Sequence, residues 1–449
     1  MSGNGDGARP ELPEGWGWAT IGDSCLPVDK IEPGLTPREP FCYIDISAID
    51  RTAKTIGDVQ RILGEAAPSR ARQLVKTGDI LVSTVRPNLQ TIAVVPQELD
   101  GEVASTGFCV LRPDEGLDPR WLFYWTLSPT FLESLLKKAR GVSYPAVLDK
   151  DVRAEPIPLP PIDEQREIVE TIKRRLADIS RGVSMLSPVA ARLGEFRASM
   201  REAACLGTLL DPGRCRSAGG DGPSPLPDGW EWKNLGEMAA DGPRSITDGP
   251  FGSNLKSSHY TGSGPRVIRL QNVGDGVFLD AEVHISPSHF ETLRAHEAVA
   301  GDVVMASLGD DLPRACVVPD WLGPAIVKAD CPRVRPSPNV NPDFLAECLN
   351  SRPVRRQAEG VVHGMGRSRL KLTDAKALKV PVPPLAEQDE IAARLTALQA
   401  GALRLERERD GALTAAEAVR RALLQDAMRG SMALPRRESQ SWRQTTTLR

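Results

Sequence analysis

Ile157-Pro-Leu-Pro-Pro-Ile-Asp-Glu-Gln-Arg-Glu-Ile-Val-Glu-Thr-Ile172 is followed 223 residues later by Val380-Pro-Val-Pro-Pro-Leu-Ala-Glu-Gln-Asp-Glu-Ile-Ala-Ala-Arg-Leu395. Both copies read the same way. Proline fixes φ and lacks an N–H, so the first part is an extended arm that cannot enter a helix interior. Acidic residues then gather where a helix would begin (Asp163, Glu164 and Glu167; Glu387, Asp389 and Glu390), matching the positive end of its dipole. Each copy therefore predicts a stiff arm leading into a helix.

The repeat extends outward in both directions. Leu12-Pro-Glu-Gly-Trp-Gly-Trp18 and Leu226-Pro-Asp-Gly-Trp-Glu-Trp232 open the two halves, each as a turn into a half-buried strand. Tyr43–Ser47 parallels Val267–Gln271. From Gly78 the two halves align without a gap: Gly78–Thr84 with Gly301–Ser307, Ala93–Pro96 with Cys316–Pro319, and Arg112-Pro113 with Arg335-Pro336. Short β-branched runs punctuated by Gly and Pro predict strands, which we assign to one sheet per half. Asp118-Pro-Arg-Trp121 and Asn341-Pro-Asp-Phe344 place an N-cap residue before proline, the pattern of a helix start. So long a period is a duplicated module rather than a solenoid.

After each arm, apolar residues recur every 3.5 positions. The first seam runs Gln165, Val169, Ile172, Leu176, Ile179, Val183, Leu186, Ala190, Leu193, Arg197, Met200, Ala204. The second runs Gln388, Ile391, Leu395, Leu398, Ala402, Leu405, Arg409, Ala412, Ala416, Val419, Leu423. This is the narrow stripe of a coiled coil, and about 40 residues of helix span ~60 Å. Pro188 should kink or split the first helix. The resulting division is a module over 1–156, a helical region over 157–210, a Gly/Pro-rich linker over 211–225, a second module over 226–379, a second helical region over 380–430, and an unstructured tail over 431–449. Residues 1–10 are also expected to be disordered.

Composition narrows the function. A chain of 449 residues is too long for one core. No N-terminal apolar run reads as a signal peptide, and none is long enough to span a bilayer. Eight cysteines (25, 42, 109, 205, 215, 316, 331 and 348) form no C-x-x-C pair, which points to reduced core thiols in the cytoplasm. Five histidines lack metal-binding spacing, and no phosphate-cradling Gly-rich loop or nuclease cluster is present. These residues show no catalytic centre and no metal or cofactor site. The net charge of −3 requires any nucleic-acid surface to be local.

Such a local surface is present. Residues 350–379 carry eight basic against two acidic side chains. Gly360–Lys371 combines a flexible backbone with Arg367, Arg369 and Lys371. The corresponding loop of the first half carries Lys137, Lys138, Arg140 and Tyr144. Such loops can follow phosphates or place guanidinium forks on guanine. The halves differ around Arg86-Pro-Asn-Leu-Gln90 and in Pro250–Tyr260, which only the second half has. Asn88, Gln90, Asn254 and Asn272 are candidates for adenine edges, and Arg86 and Arg314 for guanine. Lys256, Ser258 and Tyr260 complete the candidate DNA-binding set.

Two tandem modules, each ending in a Pro-x-Pro-Pro-x-x-Glu-Gln stretch before a long helix, resemble the specificity subunits of type I restriction–modification systems. The resemblance runs from Leu12 to about Gly430 and includes Gly249-Pro-Phe-Gly-Ser-Asn-Leu-Lys256. It implies an α+β fold with two target recognition domains of mixed, strongly twisted sheets, separated by long helices paired as an antiparallel coiled coil. It further implies that each domain reads half of a split site in double-stranded DNA. The helices would set the gap and dock methyltransferase (M) subunits, with restriction/translocase (R) subunits completing the complex. S-adenosylmethionine, ATP and Mg2+ would be used by those partners, and this chain would be non-catalytic. A helical scaffold that joins proteins without reading DNA is the alternative.

Overall fold

The computed structural model describes residues 11–141, 144–213, 216–217, 222–362 and 368–432. The chain forms two compact units, Met1–Leu186 with Gly411–Arg449, and Ser187–Asp410.

In the first unit the proline arm is a strand, Pro156–Leu159, antiparallel to Gly17–Thr20 with Trp18 opposite Pro158. In the second, Lys379–Val382 pairs with Glu231–Asn234 and Trp232 lies opposite Pro381. The tryptophan openings and the proline arms are thus two sides of one ribbon. The indole N–H of Trp16 donates to Glu164 Oε1 at 3.1 Å, and that of Trp230 to Glu387 Oε2 at 3.1 Å.

The glutamine of the signature is buried in both units. Gln165 Oε1 accepts from Asp118 N at 2.9 Å, and its Nε2 donates to Gly116 O at 3.0 Å and Pro160 O at 2.9 Å. Gln388 does the same with Asn341 N (2.9 Å), Asn339 O (3.2 Å) and Pro383 O (2.9 Å). The amide ties the start of the long helix to the start of Pro119–Thr126 or Pro342–Leu349. A polar residue in an apolar seam is explained here by saturated hydrogen bonding. Asp118 and Asn341 are the expected N-caps, accepting from Trp121 N at 3.1 Å and Phe344 N at 3.0 Å.

Among the described residues each unit has two four-stranded sheets, not the single sheet expected. One sheet of the first unit has the order Cys25–Leu26, Phe108–Pro113, Ile80–Ser83, Ile92–Val94; its equivalent in the second is Ile246–Thr247, Arg333–Val334, Val303–Ala306, Arg314–Val317. The other sheet is mixed, with Pro40–Ile44 parallel to Val103–Ser105 and Tyr260–Ile268 parallel to Ala325–Val327. The reason lies in Ile80–Ser83 and Val303–Ala306, which are buried on both faces. Ile80 and Val82 face a core shared with the helices, while Leu81 faces the second sheet. Val303 and Met305 divide from Val304 and Ala306 in the same way. An unbroken apolar run marks a strand covered on both sides. Beneath it, Arg112 grips Asp79 at 3.0 and 2.9 Å, and Arg335 grips Asp302 at 2.9 and 3.0 Å.

The first helical region is two helices, Ile162–Leu186 and Val189–Cys205, split at Pro188. The second is one helix, Leu385–Met428. Its inward residues depart from the expected 3.5-residue seam after Ala402. Leu405 and Val419 are 49% and 54% exposed, and Glu406, Leu413 and Arg420 turn inward instead. From Ile391 to Ala427 the inward positions advance by 3.6 residues per step, the pitch of a straight helix. Glu406 takes both nitrogens of Arg197 at 2.8 and 2.9 Å in the second unit; Arg420 donates to Ser180 Oγ at 3.2 Å in the first. Within the first unit Ile168 and Ile172 share a core with Ala427 and Met428 while Ser180 meets Arg420, so the paired helices run antiparallel.

Each long helical region ends at a left-handed glycine, Gly207 (φ 73°) or Gly430 (φ 67°). A Cβ at Gly207 would overlap Pro227, and one at Gly430 would overlap Pro13, the prolines of the two opening motifs. Part of the expected linker is ordered: Arg216–Ser217 pairs with Leu226–Pro227. Residues 1–10 and 433–449, expected to be unstructured, lie outside the described residues.

Candidate nucleic-acid interface

In the first unit, the strand Ile80–Ser83 runs out into the divergent loop. Arg86 N donates to Pro145 O at 2.7 Å and Val147 N to Thr84 O at 2.9 Å, so residues 84–86 and 145–147 brace each other. Arg86 and Gln90, with φ of 50° and 45°, flank a single turn at Pro87–Leu89. Left-handed backbone at a non-glycine residue is uncommon and is held by its surroundings. The Arg86 guanidinium lies 4.4 Å from the ring centroid of Tyr144, which is 69% exposed. Arg86, Asn88, Arg140 and Tyr144 are therefore brought to one rim, from residues 58 apart at the extremes. Lys137 is exposed at the C-terminal end of Pro129–Lys138, where its charge suits the helix dipole. Gln90 is half-buried, and its Nε2 donates to Leu127 O at 3.4 Å. Lys138 is committed elsewhere: its Nζ is 2.8 Å from Glu155, a buried carboxylate that needs a counter-charge.

The second unit has the same brace with different side chains. Gly309 N donates to Ser368 O at 3.0 Å and Leu370 N to Ser307 O at 2.8 Å. These are the same positions displaced by 223. Arg369 pairs with Asp330 at 2.6 Å and stands 5.4 Å from the ring centroid of Phe251, itself 53% exposed. The inserted Pro250–Tyr260 segment thus meets the basic loop. Asn254, Lys256 and Ser258 are exposed along it, and Lys371 is exposed before the short helix Leu372–Ala377. Tyr260 is half-buried, its hydroxyl accepting from Lys328 at 2.9 Å. Arg314 is half-buried on its strand. Arg367 lies outside the described residues.

Asn272 does not belong to this surface. It is 1% exposed, its Oδ1 accepts from Arg269 N at 2.9 Å, and its Nδ2 donates to Leu279 O at 2.8 Å and Ala281 O at 3.1 Å. The carboxamide closes its own turn, both its N–H groups are spent, and its burial keeps it from a base edge. Phe251 was not among the expected site residues. An aromatic between glycines in Gly249-Pro-Phe-Gly252 was the available signal, because such a side chain has no periodic apolar neighbours to pack with.

Asp248, beside the inserted segment, is raised to about 6, chiefly by burial and further by Asp330. Among the described residues no three His, Cys, Asp or Glu side chains are placed to share a metal ion.

A family profile described as the type I restriction modification DNA specificity domain matches residues 54–183 and 323–415. A chain solved in a study of complex assembly and conformational transition of the type I restriction–modification system superposes with a TM-score of 0.76. It is 30% identical, over 94% of this chain and 100% of that one. This chain belongs to the type I specificity subunits. The HsdS subunit from Thermoanaerobacter tengcongensis is similar at 29% identity and a TM-score of 0.61, over 94% of this chain and 99% of that one. The StySPI specificity subunit from Salmonella potsdam is 22% identical over 75% of this chain and 70% of its own length. As a specificity subunit the protein is the DNA-recognising, non-catalytic member of a type I complex. Modification and restriction subunits are its partners, and the cofactors of the complex belong to them. Among the described residues no helix is long and apolar enough to cross a membrane.

Proposed function

We propose that the specificity subunit reads a bipartite DNA target, one half with residues 1–156 and the other with residues 226–379. The observation that carries this is the braced loop present in both units on one backbone plan. Residues 84–86 with 145–147, and 307–309 with 368–370, share their hydrogen bonding at an offset of 223. The first presents Arg86 over Tyr144; the second presents Arg369 over Phe251. A common scaffold with different side chains is what two readers of different sequences require. Arg86, Asn88, Arg140 and Tyr144, with Lys137 and Gln90 at the edge, would make the first contact set. Asn254, Lys256, Ser258, Arg367, Arg369 and Lys371, flanked by Tyr260 and Arg314, would make the second. An arginine held against an aromatic ring loses little freedom when it meets a base or phosphate. The paired helices set the gap between half-sites and dock the modification subunits, and the complex works in the cytoplasm.

The test is to exchange residues 1–156 for those of a relative with a different target and to sequence the modified bases of host DNA. One half of the methylated motif should change while the other half and the gap stay. Changes in both halves would overturn the two-reader assignment. Sequence-independent affinity with no methylated motif would favour the scaffold reading.

A further inference from the structure

The first unit holds a pocket of 660 Å3, a volume that suits a small molecule. Buried Tyr124 and Leu424 and half-buried Leu132 give it an apolar wall. Arg51 and Arg421, both exposed, and half-buried Lys54 line it as well. Lys54 lies on left-handed backbone, φ 57°, and its Nζ donates to Gln90 O. Among the described residues these three cations form no ion pair. Burial pushes the Lys54 ammonium below its ordinary pKa, which Glu417 only partly offsets. Of the two carboxylates in the lining, Glu417 is 3.8 Å from Arg420 and Glu133 is exposed. With Arg420 counted, four basic side chains against two acidic ones leave the pocket at +2.

In the second unit the chain occupies the corresponding place with its own side chains. Leu424, Tyr124 and Leu132 are matched, at a distance of 223 residues, by Arg201, Glu347 and Arg355. Asp275 follows Val267–Gln271 by the spacing at which Arg51 follows Tyr43–Ser47. These second-unit residues are bonded to one another. Arg201 Nε donates to Glu347 Oε2 at 2.6 Å and its Nη1 to Asp275 Oδ2, while Arg355 Nη2 donates to Asp275 Oδ1 at 2.6 Å. Two guanidinium groups thus meet two carboxylates, which is how a poorly solvated charge is kept. In the first unit neither carboxylate is retained: a tyrosine stands for Glu347 and an arginine for Asp275. Both second-unit arginines are leucines there, so the pocket has apolar wall and unmatched positive charge together.

We propose that the first-unit pocket binds a small organic carboxylate, its apolar body on Tyr124, Leu132 and Leu424 and its negative group on Arg51 and Arg421. The ligand supplies what the second unit draws from Glu347 and Asp275. A guanidinium fork matches a carboxylate with two parallel hydrogen bonds. Leu89 and Gln90 also line the pocket, at the end of the turn that begins at Pro87. An occupant therefore touches the loop that carries Arg86 and Asn88.

The test uses the full chain and 2-naphthoate as the probe, with neutral 2-naphthamide as its isostere, in equilibrium dialysis. Wild type is compared with Leu132→Trp, which fills the pocket, and with a double variant, Arg51→Ala and Arg421→Ala. The double variant changes only exposed positions, so it reports even if Leu132→Trp does not fold. Wild type should bind naphthoate saturably, and Leu132→Trp should abolish that binding. The double variant should weaken it by about fivefold, two partly solvated charge contacts being lost, and should bind naphthamide as wild type does. Hydrogen exchange with naphthoate present should slow the amides of residues 51–54 and 86–90 and leave those of 275–279 and 352–359 unchanged. Equal naphthoate binding by all three proteins, no saturable binding by wild type, or protection in the second unit instead would overturn the proposal. So would equal affinity of wild type for naphthoate and naphthamide, because the pocket would then select no charge.

Discussion

Replacing Gln165 with leucine should open one helix of the first unit and leave its counterpart in the second closed. The side chain is fully buried and makes three hydrogen bonds, to Asp118 N, Gly116 O and Pro160 O. Leucine has nearly the same volume, so the change strands polar groups rather than creating a cavity. The amide N–H of Asp118 loses its acceptor, at about 1–3 kcal/mol, and each abandoned carbonyl adds roughly 1 kcal/mol. The added apolar burial returns about 1 kcal/mol. The net is about 3 kcal/mol, concentrated where Pro119–Thr126 begins. Hydrogen exchange read by mass spectrometry gives local opening in each unit separately. Amides of Pro119–Thr126 should exchange roughly 100-fold faster, at ~1.4 kcal/mol per tenfold. Those of Pro342–Leu349 should not change. Gln388→Leu should produce the reverse pattern, because its bonds to Asn341, Asn339 and Pro383 are equivalent. Exchange in Pro119–Thr126 within about threefold of wild type would limit the effect to under ~1 kcal/mol and refute the idea that the signature glutamine locks the helix starts.

Arg86→Ala should weaken DNA binding. In filter binding across a salt series, a contact to phosphate lowers the slope by about one; a contact to a base leaves the slope and relaxes one position of the motif by about 1–3 kcal/mol. Asp248 is raised to about 6 by burial, above the unfolded value of about 3.9, so the folded state holds its proton more tightly. Its contribution to stability is full below about pH 4 and is lost as pH rises through 6. Asp248→Asn should remove that loss, so Tm curves that fall in parallel for both proteins would show that another group titrates. Gly430→Ala combines a left-handed backbone with overlap on Pro13. It should destabilise the end of Leu385–Met428 by about 1–3 kcal/mol, measurable as faster exchange there, and Gly207→Ala should do the same beside Pro227.

The chain itself determined the duplication, the helix starts and the break at Pro188. Each rests on a local rule: proline stops a helix, Asp118 and Asn341 cap one, and like segments fold alike. The exposure of Lys137, Arg140 and Lys371 was legible for the same reason, since charge without periodicity reads as exposed. The number of sheets was not legible. Whether Leu81 or Val304 is covered depends on pairing between strands far apart in the chain, Pro40–Ile44 with Val103–Ser105 and Tyr260–Ile268 with Ala325–Val327, which no local pattern encodes. The seam of the last helix was misread after Ala402 because 3.5 and 3.6 residue periods separate only over several turns. There, Glu406 rather than Leu405 turns inward because Arg197 of the antiparallel helix waits for it. Among the site residues, tertiary structure decided which polar groups were free. Asn272 and Lys138 look as eligible in sequence as the other candidates, yet one closes a turn and the other neutralises Glu155. A side chain's hydrogen-bonding capacity is set by its type, but whether that capacity is already used is set by groups far away in the chain.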